Sequence, residues 1–279
     1  MNGPLLRQPP AEPFFFDVEP GSRFCVYHAP APNLAPRGGI LYVHPFAEEM
    51  QRARHVAHLQ ARALAGLGFG VLQVDLFGCG DSCGDLATAR WPVWQADLGA
   101  AFAWLRGRAS GQCYLWGLRL GALMALDFAA RTAVAGIVLW QPFVRGRTCI
   151  NQFLRLRLAR SLLASGQFPA STSMLRDQLD THGSLEAGGY EVGAELAHAI
   201  DALDAANLTP RTPWVAWLAT GAPGDLSAAA TARRVGRRWP GIDLRFAQVP
   251  GPPIWAGAAQ RQAPALIDTT SALFARVPA

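Results

Sequence analysis

The stretch that most limits what this chain can fold into is Leu115-Trp116-Gly117-Leu118-Arg119-Leu120-Gly121. It has the frame Gly-x-Ser-x-Gly of a nucleophile elbow, the sharp turn from a strand into a helix, with arginine where the serine stands. A short apolar strand, Cys113 to Trp116, feeds Gly117, and an Ala- and Leu-rich helix is predicted from about Gly121 through Ala130. Two glycines suit such a turn because a side chain at either would strike neighbouring backbone. The residue between them belongs at the top of a sheet, beside a helix N-terminus. A hydroxyl or thiol there attacks a carbonyl. A guanidinium does not, because it stays protonated and has no lone pair to offer.

Around this turn, short apolar runs alternate with helical stretches. An opening hairpin is predicted over Phe14 to Tyr27, with a Pro20-Gly21 turn. Strands follow at Gly39 to Val43, Phe69 to Leu76 and Val134 to Phe143, with helices at Glu48 to Leu67 and Trp91 to Arg108. Strand–helix alternation of this kind implies an α/β fold with a mostly parallel, doubly wound sheet. The alternation breaks at Val144. Residues 145–206 read as helical segments without a clear strand, so they form a helical cap insertion, with 13–144 and 207–279 as the core and 1–12 as a loose tail. Order resumes with strands at Trp214 to Ala219 and Asp243 to Val249, and helices at Ala228 to Arg238 and Pro264 to Phe274.

With 279 residues, 51% of them hydrophobic and 16% charged, the chain can bury a sizeable core. All 25 basic residues are arginine, which with the abundant Ala and Gly reads as codon bias rather than function. The net charge of +5 comes with no nucleic-acid motif, so no nucleic-acid partner is expected. The cysteines, Cys25, Cys79, Cys83, Cys113 and Cys149, fit no zinc or disulfide spacing, and no metal or cofactor is expected. No signal-peptide core and no run of about 18 apolar residues is present, so a cytoplasmic protein is expected.

The order and spacing of three features resemble the α/β-hydrolase superfamily. They are the elbow, the strand end His44-Pro45-Phe46, and the loop running from Asp75 through Gly78-x-Gly80-Asp81-Ser82-x-Gly84. The resemblance implies two oxyanion-hole N–H donors, one near Phe46 or Ala47 and the other from Leu120. It implies an acid after a later strand, a slot that Asp225 can fill, though a turn aspartate is an equal reading. It also implies a histidine after the last strand. The six histidines are His28, His44, His55, His58, His182 and His198, and none lies there; Gly251-Pro252-Pro253-Ile254-Trp255 does. Nucleophile and base are therefore both missing from their usual places.

The remaining candidates are weaker. His44 shapes the oxyanion loop or holds a water. Cys79 lies in the glycine-rich loop, and Cys113 reads as core. Glu48 and Glu49 open a helix, where acids complement its dipole, and Arg52 and Arg54 can pair with them. Asp75 and Asp81 hold their turn locally. Arg119 has two readings: a fork for a carboxylate or phosphate ligand, or a plug paired with Asp225, Asp81 or Glu48. The ligand pocket then comprises Arg119, Leu120, His44, Phe46, Ala47, Glu48, Asp81 and Trp255.

Within the superfamily, the chain resembles the second type of hydrolase associated with exosortase A systems. Four motifs carry this: His44-Pro45-Phe46-Ala47-Glu48-Glu49-Met50; Trp116 through Ala122; Gly189-Tyr190 with Glu195-Leu196; and Val249 through Trp255. The resemblance implies a companion of bacterial machinery that couples exopolysaccharide production to sorting of proteins with a C-terminal Pro-Glu-Pro signal. Three functions follow. One is a non-catalytic protein binding an anionic or acyl-bearing ligand. Another is a hydrolase or acyl transferase using unorthodox residues. The third is an interaction protein docking through the arginines of Arg145 to Arg160.

Overall fold

The computed structural model describes residues 9–165, 171–221, 226–256 and 262–277. Eight strands form one sheet: β1 (Glu12–Asp17), β2 (Ser22–His28), β3 (Gly38–Val43), β4 (Phe69–Val74), β5 (Cys113–Leu118), β6 (Ile137–Trp140), β9 (Trp214–Thr220) and β10 (Asp243–Val249). Their spatial order is β1-β2-β4-β3-β5-β6-β9-β10. β1 and β2 pair antiparallel, β2 joins β4 antiparallel, and every later pair is parallel. The central strands β3, β5 and β6 are buried along their whole length, so they read as continuous apolar runs rather than alternating ones.

Helices cover both faces. On one face, α1 (Glu48–Ala65) packs Val56, Ala61 and Leu64, and α8 (Pro264–Ala275) packs Leu266 and Phe274, onto Tyr114, Trp116 and Trp140. On the other lie α2 (Trp91–Arg108), α3 (Leu120–Arg131) and α7 (Ser227–Gly236). Between β6 and β9 the chain forms α4 (Gly146–Ser165), α5 (Thr172–His182), the hairpin β7 (Ser184–Ala187) and β8 (Tyr190–Gly193), and α6 (Ala194–Asp201). Ile150, Phe153, Leu196 and Ile200 from this segment join the second core layer. The expectation of no strand in 145–206 is therefore corrected. Its two short strands turn at Gly188-Gly189, both residues at positive φ, where a side chain would be strained.

The buried Arg23–Asp97 pair ties the antiparallel edge to the helical layer. Nε lies 2.9 Å from Oδ1 and both side chains are fully buried. That contact is off the hydrogen-bond axis, so it is an ion pair rather than an aligned bond. Arg23 Nη1 also donates to the Pro20 carbonyl at 2.7 Å, and Asp97 Oδ2 accepts the Phe77 N–H at 2.8 Å. The loop after β4 is thereby fixed from both sides.

Candidate functional site

The elbow keeps its backbone. Arg119 stands between β5 and α3 with φ 58° and ψ −115°, a strained conformation that costs a non-glycine residue about 1–3 kcal/mol. Its N–H donates to the Trp140 carbonyl at 3.0 Å, which ties the turn to β6. The flanking glycines are needed for space. A Cβ on Gly117 would stand 2.6 Å from the Gly121 carbonyl oxygen, and one on Gly121 would stand 2.2 Å from that of Val43. Ala47, ahead of α1, has the same kind of strained backbone, with φ 50° and ψ −126°. The first N–H groups of α1 and α3 have no acceptor within their own helices. The two segments expected to supply oxyanion donors, Phe46-Ala47 and Leu120, thus survive as architecture.

The side chain between them is locked. Arg119 is 7% exposed. Its Nε lies 3.2 and 3.4 Å from the two carboxylate oxygens of Glu49, and Nη2 lies 3.1 Å from Oε1. Nη2 also donates to Gln152 Oε1 on α4 at 2.8 Å. The guanidinium carbon lies 3.9 Å from the ring centroid of Phe143 and 4.8 Å from that of Trp255, so two aromatic rings face the cation. The acid expected to hold Arg119 is corrected by this geometry. Glu48 pairs instead with Arg52 at 3.0 Å. Asp81 has an exposed side chain and offers only its backbone N–H, to Asp75 Oδ2 at 3.1 Å. Asp225 lies outside the described residues. Glu49, expected to complement the helix dipole or to pair with Arg52 or Arg54, is the partner, and Arg54 pairs with Asp75 at 2.8 Å rather than with either glutamate. Burial pushes the Glu49 carboxyl above its ordinary value, and the Arg119 guanidinium opposes that shift.

The segment after β10 reaches the elbow and lays the Trp255 indole against the Arg119 guanidinium. The cavity beside the ion pair, lined by Phe46, Ala47, Glu49, Cys149, Gln152 and Phe153, measures about 30 Å³, which holds roughly two waters.

The unorthodox nucleophiles and bases fare poorly. His44 lies with Nδ1 2.7 Å from the Pro45 carbonyl, to which it donates, and Nε2 accepts the Leu76 N–H at 3.3 Å. Both ring nitrogens are used, so the ring fixes the loop and has no lone pair left for a water. Cys79 and Cys149 are buried, and burial raises both thiols above their ordinary value. Cys113 packs in the core. Among the described residues, no group of three or more His, Cys, Asp or Glu is arranged to hold a metal.

Burial lowers the His44 pKa from its ordinary 6.5, partly offset by Asp75 and the Pro45 bond. A histidine lowered in the folded state gives stability above 6.5 that is lost as pH falls, because the unfolded chain then binds more protons. Urea unfolding at pH 7.5 and 5.5 is therefore expected to show lower stability at the lower pH, and His44→Gln is expected to reduce that difference. An equal difference in the variant would remove His44 from the explanation.

A sequence model of the family described as serine aminopeptidase, S33, matches residues 35–183. No curated protein sequence matches the chain. Among solved structures, Est1E from Butyrivibrio proteoclasticus with ferulic acid bound is similar, at 14% identity and a TM-score of 0.67. The likeness covers 95% of this chain and 98% of that one. Mouse alpha/beta hydrolase domain-containing protein 10 matches at 15% identity over 96% of this chain and 100% of its own, with a TM-score of 0.59. A Xanthomonas campestris serine hydrolase without a lid matches at 15% identity over 88% and 86%, with a TM-score of 0.54. At such identities the likeness is one of fold, and that fold is the α/β-hydrolase fold.

Proposed function

We infer that this chain, which belongs to the serine aminopeptidase S33 family of hydrolases, is a non-hydrolytic member in which the elbow holds a buried cation in place of a nucleophile. The observation that carries this reading is the neutralised guanidinium of Arg119, held by Glu49 and Gln152 between Phe143 and Trp255. Acyl transfer needs a nucleophile and a base within reach of each other. The four groups around this elbow are two aromatic rings, a carboxylate already paired and a neutral amide.

The ligand of such a scaffold is anionic or acyl-bearing. Glu49 and Gln152 engage Nε and Nη2 of Arg119, and Nη1 has no hydrogen-bond partner among the described residues. The same residue borders a cleft of about 390 Å³ with Thr148, Arg145 and Arg234, so the ground around the elbow is cationic. The motifs that resemble the exosortase A-associated hydrolases of the second type support a place beside exopolysaccharide and exosortase pathway proteins. Five free cysteines suit a reducing, cytoplasmic setting, and no described helix is long and apolar enough to cross a membrane.

Wild-type protein is expected to hydrolyse p-nitrophenyl butyrate at the buffer rate and to take up no fluorophosphonate, read by intact mass. Arg119→Ser is expected to gain no turnover, because no histidine reaches the elbow. Hydrolysis well above background that survives Arg119→Ala would overturn the reading.

A further inference from the structure

The cleft of about 390 Å³ beside the elbow lies between the chain leaving β6, the first turn of α4 and one face of α7. Its size is within the range of small-molecule sites. Pro142, Phe143 and Val144 give it an apolar wall. Thr231 and Arg234 stand three residues apart on α7, so they share a face of that helix and border the cleft together.

The polar groups here are mostly donors with nothing to donate to. Arg119 is 7% exposed, and Glu49 and Gln152 take its Nε and Nη2. Its Nη1, with no hydrogen-bond partner among the described residues, is left for the cleft. Arg145 spends Nε on Asp204 Oδ2 at 3.3 Å, which leaves both Nη groups. A backbone bridge between the same two residues fixes where that side chain starts. Arg234 and the hydroxyls of Thr148 and Thr231 have no partner among the described residues. Thr148 lies in the first turn of α4, the positive end of a 20-residue helix.

The nearby acceptors are already engaged. Asp204 accepts from Arg145 and from the Ala206 N–H, and Gln152 Oε1 accepts from Arg119 Nη2. No carboxylate borders the cleft among the described residues. Glu49 balances Arg119 and Asp204 balances Arg145, so Arg234 and the helix end supply the excess positive charge. Three guanidinium groups and two hydroxyls offer more donors than the two coplanar oxygens of a carboxylate can accept. A phosphate monoester presents three strong acceptor oxygens and about 1.5 to 2 negative charges at pH 7.

We propose that this cleft binds a small phosphate monoester. Arg119 Nη1, Arg145, Arg234 and Thr148 hold the phosphate, and the organic part lies against Phe143 and Val144. This rests on the reading of Arg119 as a cation in a non-hydrolytic elbow, and it narrows the anionic or acyl-bearing ligand of that reading to a phosphate.

The test is isothermal titration of the full chain with phenyl phosphate, inorganic phosphate and benzoate at matched ionic strength, with p-nitrophenyl butyrate turnover read on the same preparation. Phenyl phosphate is expected to bind with a dissociation constant of about 1 mM or tighter, inorganic phosphate more weakly, and benzoate about tenfold more weakly or worse. Arg234→Gln, at an exposed position, is expected to weaken phenyl phosphate binding about tenfold without moving the melting temperature. Arg106→Gln removes the same charge from the exposed last turn of α2 and is expected to leave binding unchanged. The paired variant Arg119→Met with Glu49→Leu removes the elbow cation without stranding its carboxylate, and is expected to weaken binding about tenfold or more. Absence of phosphate binding, or equal affinity in wild type and Arg234→Gln, would overturn the proposal; without ester turnover, the reading of the elbow would still stand. Benzoate binding as tight as that of phenyl phosphate would overturn the phosphate assignment and likewise spare that reading. Ester turnover well above background would overturn the elbow reading and the proposal with it.

Discussion

Replacing Glu49 by alanine is expected to lower the free energy of unfolding by about 3–5 kcal/mol, the cost of leaving a buried charge without its partner. The Arg119 and Glu49 side chains are 9% and 12% exposed, so water does little to screen either. The guanidinium has Gln152, Phe143 and Trp255 around it, none of which carries a negative charge. With the carboxylate gone, Arg119 must either stay buried and unpaired or pull away from the rings that face it. Both routes are costly. Replacing the pair together, with Glu49→Leu and Arg119→Met, is expected to cost much less than Glu49→Ala alone, because apolar groups of similar size neither need desolvating nor need partners. Urea unfolding of the variants reads both. A loss under about 1 kcal/mol in Glu49→Ala would mean that the guanidinium finds solvent freely.

Asp97→Ala is expected to destabilise by a similar amount, about 3–5 kcal/mol. Asp97 and Arg23 are fully buried, and Asp97 also accepts the Phe77 N–H, so its removal strands both a cation and a backbone donor. Arg23 keeps the Pro20 carbonyl, which does nothing for its charge balance. The control is Asp243→Ala. Its pair with Arg245 is 60% and 42% exposed, and such surface pairs contribute about 1 kcal/mol or less. Equal losses in the two variants would show that burial does not set the worth of these pairs.

Most of the architecture was legible in the sequence for one reason. A parallel strand buried on both faces is a short, uninterrupted apolar run, and a long amphipathic helix spans several turns of pattern. The helix read over Trp91 to Arg108 and the strand over Asp243 to Val249 match α2 and β10 at both ends. The elbow strand runs two residues further than read, to Leu118, because β5 pairs with β6 right up to the turn. The β7–β8 hairpin was missed. Its four-residue strands are too short to show a period, and the Gly188-Gly189 pair was the available signal.

The site divides in the same way. The two absences, serine at the elbow and histidine after the last strand, could be read by position alone. The partner of Arg119 could not. Glu49 sits in the first turn of a helix, where an acid already has an ordinary explanation in the helix dipole. Only the strained turn at Ala47 brings that first turn against the elbow, and no local pattern encodes it. Gln152 comes from α4, 33 residues beyond Arg119 in sequence, and Trp255 from the segment after β10, so their meeting is a property of the fold.

The arginine at the elbow is a fixed structural cation tied to Glu49. A double-mutant cycle between Arg119→Met and Glu49→Leu, followed by urea unfolding, measures that tie. A coupling of about 2–3 kcal/mol, near the upper end for residues in direct contact, is the predicted result. A coupling below about 0.5 kcal/mol would mean that the two residues act independently, and it would contradict the account.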